Sequence, residues 1–148
     1  MSVSISVEII QVDHDGQQLN SFTTSGPCDS LALMFYDWKD HTPVVHLGVL
    51  NEEEVRIVKA TYGKDSMSVL DNLEAFKPQT VSIEELIPVF TKIRNKIIYP
   101  QIKEAIRKND DYELANQNGD LIAISECIGA LEVMKNVSDH AYITINDF

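Results

Sequence analysis

Cysteine and histidine are the residues of this chain that could serve as nucleophile and base, and Cys28 has the most suggestive surroundings. The stretch Ser25-Gly26-Pro27-Cys28-Asp29 interrupts the chain just before an apolar run. Cys28 is therefore predicted near a helix N-terminus, where the thiolate is stabilised. With His41 or His46 nearby in the fold, that thiolate would be a candidate nucleophile. Asp29 opposes thiolate formation because like charges repel, so a small buried structural cysteine is the favoured interpretation.

The sequence lacks the motifs that identify other catalytic and metal-binding sites. It contains no glycine-rich phosphate loop, no HExxH motif and no paired cysteines or histidines at metal-ligand spacing. Asp13-His14-Asp15-Gly16 resembles the opening of a calcium loop. Its glycine follows the second aspartate directly, whereas an EF-hand has glycine at the sixth position. We therefore predict a hairpin turn here, and expect no cofactor, no bound metal and no enzymatic activity.

Two acidic stretches are candidates for contact with another protein. Tyr36-Asp37-Trp38-Lys39-Asp40-His41 combines the only tryptophan with carboxylates, and tryptophan is common at binding hot spots. Three consecutive glutamates follow Asn51, which is a good helix N-cap. The alternative is structural, with Trp38 in the core and the glutamates stabilising the positive end of a helix dipole. The predicted partner-binding residues are Asp37, Trp38, Asp40, Glu52, Glu53 and Glu54.

The net charge excludes two classes of binding partner. The chain has 12 basic and 23 acidic residues and a net charge of −11. Phosphates would be repelled by such a surface, so we expect neither non-specific nucleic-acid binding nor docking on an anionic membrane. The charge is uneven along the chain. Residues 1–91 carry −9 and residues 109–148 carry −7, whereas residues 92–108 carry +5.

The basic segment 92–108 has two possible explanations. Its six lysines and arginines accompany a single glutamate, Glu104, at spacings typical of an amphipathic helix. They are expected to form a solvated helix face that is balanced by nearby carboxylates. An anion-binding patch is the alternative, but no phosphate loop accompanies the segment and only Tyr99 provides an interleaved aromatic.

Size and charge together favour a binding protein over an enzyme. Proteins that neutralise a basic nuclease or toxin, such as bacterial immunity proteins, are often small and acidic, because opposite charge speeds association. By this analogy of composition and size, we expect an immunity or antitoxin-type inhibitor that binds a basic toxin domain directly, as a monomer or homodimer. A small enzyme or ligand-binding domain that uses Cys28 is the alternative. The N-terminus lacks a signal-peptide pattern, so a cytoplasmic location is expected.

Hydrophobic periodicity predicts the elements that would carry these residues. Val3 to Ile9 alternate with polar residues, as do Ala141 to Ile145, so a strand is predicted at each end of the chain. A second strand over 17–24 would complete an N-terminal hairpin. The expected fold is α+β, a single domain over 1–148, with a mostly antiparallel sheet packed against four or five helices.

The helices are predicted from spacing and end signals. Segments 31–38 (a buried strand is the alternative), 52–62 and 66–76 precede a longer helical stretch over 83–108. Ser82 and Glu85 are spaced as a capping box, and Pro88 and Pro100 should kink or divide that stretch. Asn116-Gln117-Asn118-Gly119 predicts a break before a last helix that ends near Lys135.

Overall fold

A four-stranded antiparallel sheet forms the framework of the protein. The computed structural model describes residues 5–26, 49–54, 57 and 80–147. The strands are β1 (Ile5–Val12), β2 (Gln18–Thr23), β3 (Val81–Ser82) and β4 (His140–Asp147), and they lie in the order β2-β1-β4-β3. The two terminal strands thus pair with each other in the centre of the sheet. The predicted antiparallel sheet, N-terminal hairpin and C-terminal strand are confirmed.

The hairpin between β1 and β2 is held by one aspartate and one glycine. Asp13 Oδ1 accepts hydrogen bonds from the backbone N–H groups of Asp15 (2.8 Å) and Gln17 (2.9 Å). Gly16 has φ +84°, which is the left-handed region that glycine adopts without steric cost. These contacts confirm the predicted turn and explain why it follows the last strand residue of β1 directly.

Helical residues fill the connection between β3 and β4. Helix α1 spans Ile83–Ile93, a π-helical turn spans Arg94–Ile98, α2 spans Tyr99–Arg107 and α3 spans Asp111–Met134. Three α-helices are thus described over their full length, compared with the four or five predicted for the chain. The segments predicted as helices over 31–38 and 66–76 lie outside the described residues. Glu52–Glu54 and Ile57 are helical, as predicted.

Pro88 and Pro100 have different effects on the helices that contain them. Helix α1 continues through Pro88 to Ile93, so no helix boundary falls at that proline. Pro100 lies in the first turn of α2, directly after the π-helical turn. Because proline has no N–H, it cannot make the bond to the carbonyl four residues back. The adjacent Tyr99 N–H bonds to Arg94 O, five residues back, and this widens the helix at the junction.

The predicted break at Asn116-Gln117-Asn118-Gly119 is wrong. Helix α3 runs without interruption from Asp111 to Met134 and contains this stretch. The helix starts instead at Asp110, whose side chain accepts a hydrogen bond from Glu113 N. Asn109, with φ +52°, ends the preceding helix in a left-handed conformation. The break between helices in this region therefore lies at 108–110, before α3 begins.

The predicted capping box of Ser82 and Glu85 is also wrong. Ser82 is the N-cap of α1, but its side chain makes no capping bond to its own helix. Asp139, just before β4, takes that role by accepting from Glu84 N (3.0 Å) and from Ser82 Oγ (2.6 Å). A carboxylate at a helix N-terminus satisfies a donor and also complements the helix dipole. The cap therefore connects α1 to the sheet.

One continuous apolar core lies between the sheet and the helices. Val7 and Ile9 of β1 and Ile143 of β4 point into it and are almost fully buried. Helices α1 and α3 supply the opposing side, with Phe90 and Leu131 among its buried side chains. The core also contains Leu50 and Ile57, so the helix start at 52–54 is anchored on both sides.

Candidate functional site

Only some of the predicted site residues lie in the described part of the chain. Asp37, Trp38 and Asp40 lie outside the described residues, as do the candidate nucleophile Cys28 and its possible bases His41 and His46. Glu52, Glu53 and Glu54 are described and begin a helix. The predicted partner-binding surface can thus be assessed through these three glutamates.

Glu54 has a structural role at the start of this helix. Glu54 N donates to Asn51 Oδ1 and Asn51 N donates to Glu54 Oε1, each over 2.9 Å, which is a reciprocal capping arrangement. Glu54 Oε1 also accepts from Lys92 Nζ at 2.8 Å, and this ion pair ties the helix start to α1. Partial desolvation raises the pKa of Glu54, but the bonds from Asn51 and Lys92 outweigh it and lower that pKa overall.

Glu52 and Glu53 are exposed at the same helix start. Their backbone is fixed by the Asn51–Glu54 capping bonds and by Leu50, which is 1% exposed. Two negative charges are therefore presented from an anchored turn, where a partner meets them without a large ordering cost. Glu54 is only partly exposed and pairs with Lys92, so the most exposed carboxylates of the triplet are Glu52 and Glu53.

Strand β2 is a second surface feature, which the sequence predicted as a strand but not as an exposed edge. It pairs with β1 on one side, and no described residue pairs with its other side. Five of its six residues are exposed, and Phe22 is half-buried against the core. At its C-terminal end, Ser25 Oγ donates to Glu126 Oε1 of α3 (2.9 Å). The edge is thus held at both ends, by the turn and by α3.

Acidic side chains lie around this edge strand. Glu8 of β1 accepts hydrogen bonds from the hydroxyls of Thr23 (3.4 Å) and Thr144 (3.3 Å) on the strands at either side. The pKa of Tyr142 is raised, chiefly by burial and secondly by the Glu8 carboxylate. The hydrogen bond from Gln17 N is the main cause of a lowered pKa for Asp13, which stays ionised at the turn.

The basic segment is partly neutralised by its own contacts. Lys92 pairs with Glu54, and Glu104 pairs with both Arg107 and Lys108. Arg94 lies over the ring of Tyr99, with 5.9 Å between the guanidinium carbon and the ring centroid. These pairs agree with the predicted solvated and balanced helix face. These contacts engage four of the six basic side chains, which favours a structural role for the basic segment over an anion-binding role.

The buried polar residues of α3 were missed from the sequence. Gln117 and Asp120 are 4% and 1% exposed, and they continue the buried stripe that also contains Ile124 and Cys127. Gln117 Nε2 donates to Glu113 Oε1 at 2.7 Å. Their polar run has the composition of a loop, so composition indicated a break where helical spacing would have placed both residues on the inner face.

Two of the histidines and the second cysteine lie in the described part of the chain. His14 is exposed beside Asp15 in the hairpin turn, and His140 is exposed at the start of β4. Cys127 is fully buried in the core. Within the described ranges, no three His, Cys, Asp or Glu side chains are grouped so as to hold a metal ion. No helix over the same residues combines the length and the apolar character that crossing a membrane requires.

Comparison with known proteins gives no relative from which a function can be transferred. No protein-family model matches the chain, and no curated protein and no solved structure is significantly similar to it.

Proposed function

We propose that this protein is a small acidic binding protein that neutralises a basic toxin or nuclease domain by direct contact in the cytoplasm. The single observation that supports this most is the exposed pair Glu52 and Glu53 at an anchored helix start, on a chain with a net charge of −11. Long-range attraction between an acidic inhibitor and a basic target raises the association rate. Inhibition by occupying a surface requires no catalytic group of the inhibitor itself.

Glu54 contributes to this surface indirectly. Its bonds to Asn51 and Lys92 fix the turn from which Glu52 and Glu53 project. Asp37, Trp38 and Asp40 remain predicted members of the same interface, since their acids and aromatic would complement the same kind of partner. The partner is therefore expected to present lysines or arginines, with an apolar pocket for Trp38.

A double charge reversal at the surface pair tests the proposal. The chain is immobilised, a partner is captured from its native cells and purified, and the dissociation constant is measured by calorimetry. Glu52→Lys together with Glu53→Lys should weaken binding by roughly tenfold or more, as truncating close charge pairs does at charged interfaces. Glu54 is left intact, because its replacement would disturb the helix start as well as the charge.

Glu84 and Glu85 offer a matched control. They are also adjacent, exposed glutamates in the first turn of a helix, so Glu84→Lys with Glu85→Lys changes the net charge equally. The control pair should change the affinity much less than the Glu52 and Glu53 pair. Equal effects would mean that only net charge matters, and an unchanged affinity in the first variant would exclude this surface as the site.

A further inference from the structure

The backbone of β2 has hydrogen-bonding groups that point away from the sheet. Thr24 N donates to Val7 O, so Thr24 and Val7 form a hydrogen-bonded pair between the two chain segments. In an antiparallel ladder, bonded pairs alternate with non-bonded ones. The backbone N–H and C=O groups of Phe22 and Asn20 therefore also point toward β1, whereas those of Ser21 and Thr23 point outward. No described residue bonds to these outward groups.

The outer edge of β2 lacks the devices that usually protect an exposed strand. Natural edges are commonly blunted by charged side chains, especially lysine, or by proline. From Gln17 to Ser25, nine consecutive residues contain neither a charge nor a proline. Its one such device is a bulge at the turn end, where Leu19 has no register partner between Gln11 and Val12, and the pairing from Asn20 to Thr23 is regular. This segment is a suitable template for another strand.

The charges around β2 indicate what kind of strand would pair with it. β1, β2 and β4 contain no lysine or arginine, and in the described part of the chain Asp13, Glu8 and Glu126 accept hydrogen bonds from β2 or the residues next to it. Neighbouring strands lie about 4.8 Å apart, so a residue opposite Thr23 on an added strand would have its Cα about 10 Å from that of Glu8. Extended lysine and glutamate side chains together span this distance.

We propose that β2 is a docking edge that takes up an extended, lysine- or arginine-bearing segment of a protein partner as a fifth strand of the sheet. Backbone bonds to Ser21 and Thr23 would supply the register, and Glu8, Glu126 and Asp13 would select for positive charge. The inference rests on the proposed function in one respect: the segment belongs to the basic partner that the protein inhibits.

A second copy of this chain is a poorer fit to the edge than a basic segment. Pairing two β2 strands would bring together two sheets whose charged residues near the edge are all acidic in the described part of the chain. A six-residue strand also buries little area compared with the roughly 1,200 Å² or more of a stable interface. Sedimentation of the protein alone checks this. A dimer that Ser21→Pro dissociates would overturn the proposal in favour of self-association.

A synthetic peptide tests the docking edge without the native partner. The probe is acetyl-Thr-Lys-Val-Lys-Val-Lys-Thr-amide, titrated to about 5 mM because isolated strand peptides bind weakly. Amide hydrogen exchange followed by NMR should slow several-fold at Ser21 and Thr23, whose N–H groups are outward. Asn20 and Phe22 serve as internal controls, since their N–H groups are already bonded to β1. Absence of binding, or protection elsewhere in the protein, would overturn the proposal.

Two modified reagents separate strand pairing from simple charge attraction. The same peptide with N-methyl groups on alternate residues keeps its charge but cannot complete the ladder, and it should bind at least tenfold more weakly. Equal binding of both peptides would overturn the proposal. Glu8→Gln should weaken the lysine peptide and leave a threonine analogue of that peptide unaffected.

Proline at an outward position provides the matching change in the protein. Because the Ser21 N–H makes no bond within the sheet, Ser21→Pro removes an outward donor without breaking the pairing with β1. It should abolish peptide binding, whereas Ser21→Ala should preserve it. If the captured partner binds Ser21→Pro at full strength, the docking edge is wrong while the proposed function stands. If the peptide docks but Glu52→Lys with Glu53→Lys leaves partner binding unchanged, the proposed Glu52–Glu53 surface fails instead.

Discussion

Gln11 is the residue whose replacement most directly tests how the sheet and α3 are held together. It lies in the central strand β1 and is fully buried. Its Nε2 donates to the carbonyls of Met134 and Ser138 at the end of α3, and its Oε1 accepts from Asn20 Nδ2 at 2.7 Å. One side chain therefore connects β1, β2 and the C-terminal end of α3. Gln11→Leu removes all three bonds at nearly constant side-chain volume.

The loss of stability in Gln11→Leu depends on whether each former partner of Gln11 keeps or finds another hydrogen bond. Met134 O still accepts from Val137 N at 2.9 Å, so it remains satisfied. Asn20 is exposed and can bond to water, whereas Ser138 O loses its donor in a half-buried position. Each lost hydrogen bond costs about 1 kcal/mol, and an acceptor left buried costs more. The apolar leucine offsets part of this cost, so the free energy of unfolding should fall by about 2–3 kcal/mol. That is a sizeable fraction of the roughly 5–15 kcal/mol of a typical domain.

Urea denaturation followed by circular dichroism measures the loss. The midpoint should fall at an unchanged m-value, because the change affects stability and not the surface exposed on unfolding. The same loss corresponds to a melting temperature lower by about 4–12 °C in a domain of this size. Asn20→Ser is the control, since it leaves both bonds to Met134 and Ser138 in place and removes only the donor to Gln11 Oε1, which should cost about 1 kcal/mol.

Two results would refute this account of Gln11. A loss below about 1 kcal/mol for Gln11→Leu would mean that its bonds to α3 are replaced by others or contribute little in net terms. An equal loss in Asn20→Ser would place the stabilisation in the β1–β2 contact and not in the connection to α3. Either outcome would require a different explanation for a fully buried glutamine in the central strand.

Two further predictions concern capping and charge. Asp139→Ala removes the acceptor for Glu84 N and Ser82 Oγ, so it should lower the free energy of unfolding by about 1–2 kcal/mol in urea titration, while Asp139→Asn retains most of it. The hydrogen bond from Arg107 is the main cause that lowers the pKa of Glu104 from 4.5 to about 2. Arg107→Gln should raise this pKa partway back, as seen by NMR titration. Since the folded pKa is the lower one, any stabilisation from this pair is present above pH 4.5 and is lost as the pH falls toward 2.

The strands were predictable because their signal is local. Alternation in β1 reflects a sheet with Val7 and Ile9 facing the core, and the same holds for Ala141 and Ile143 in β4. Asp13 and Gly16 specify the turn by the same local chemistry. The pairing of β1 with β4 depends on contacts more than a hundred residues apart, and no periodicity encodes such a pairing.

The errors arose where a distant contact replaced a local one. Ser82 and Glu85 have the spacing of a capping box, but Asp139, at the end of the long connection, caps the helix instead by accepting from Glu84 N and Ser82 Oγ. The run around Gly119 favours a turn by propensity, yet α3 spans it because Gln117 and Asp120 are buried and the residues from Ala123 onward pack into the core. Tertiary burial outweighs propensity costs of about 1 kcal/mol for a helical glycine.

The candidate site was only partly predictable for a related reason. Acidic residues are visible in a sequence, and Glu52 and Glu53 were nominated from charge alone. The ion pair of Glu54, in contrast, depends on Lys92, which is 38 residues away in the sequence. The exposed edge of β2 had no sequence signal either, because its polar composition fits a loop or a half-exposed strand equally well. Only the strand order identifies it as an edge.

The Glu52–Glu53 surface and the β2 edge would affect different rate constants of one complex. Exposed charges such as Glu52 and Glu53 mainly speed the encounter with a basic partner and respond strongly to salt. Strand addition at Ser21 and Thr23 would fix register through backbone bonds and should act mainly on the dissociation rate. Kinetic measurements therefore separate them. Charge reversal should lower the association rate at low salt, whereas Ser21→Pro should leave association nearly unchanged and accelerate dissociation. If both variants changed the association rate alone, β2 would act only as part of the acidic surface, and strand addition would be refuted.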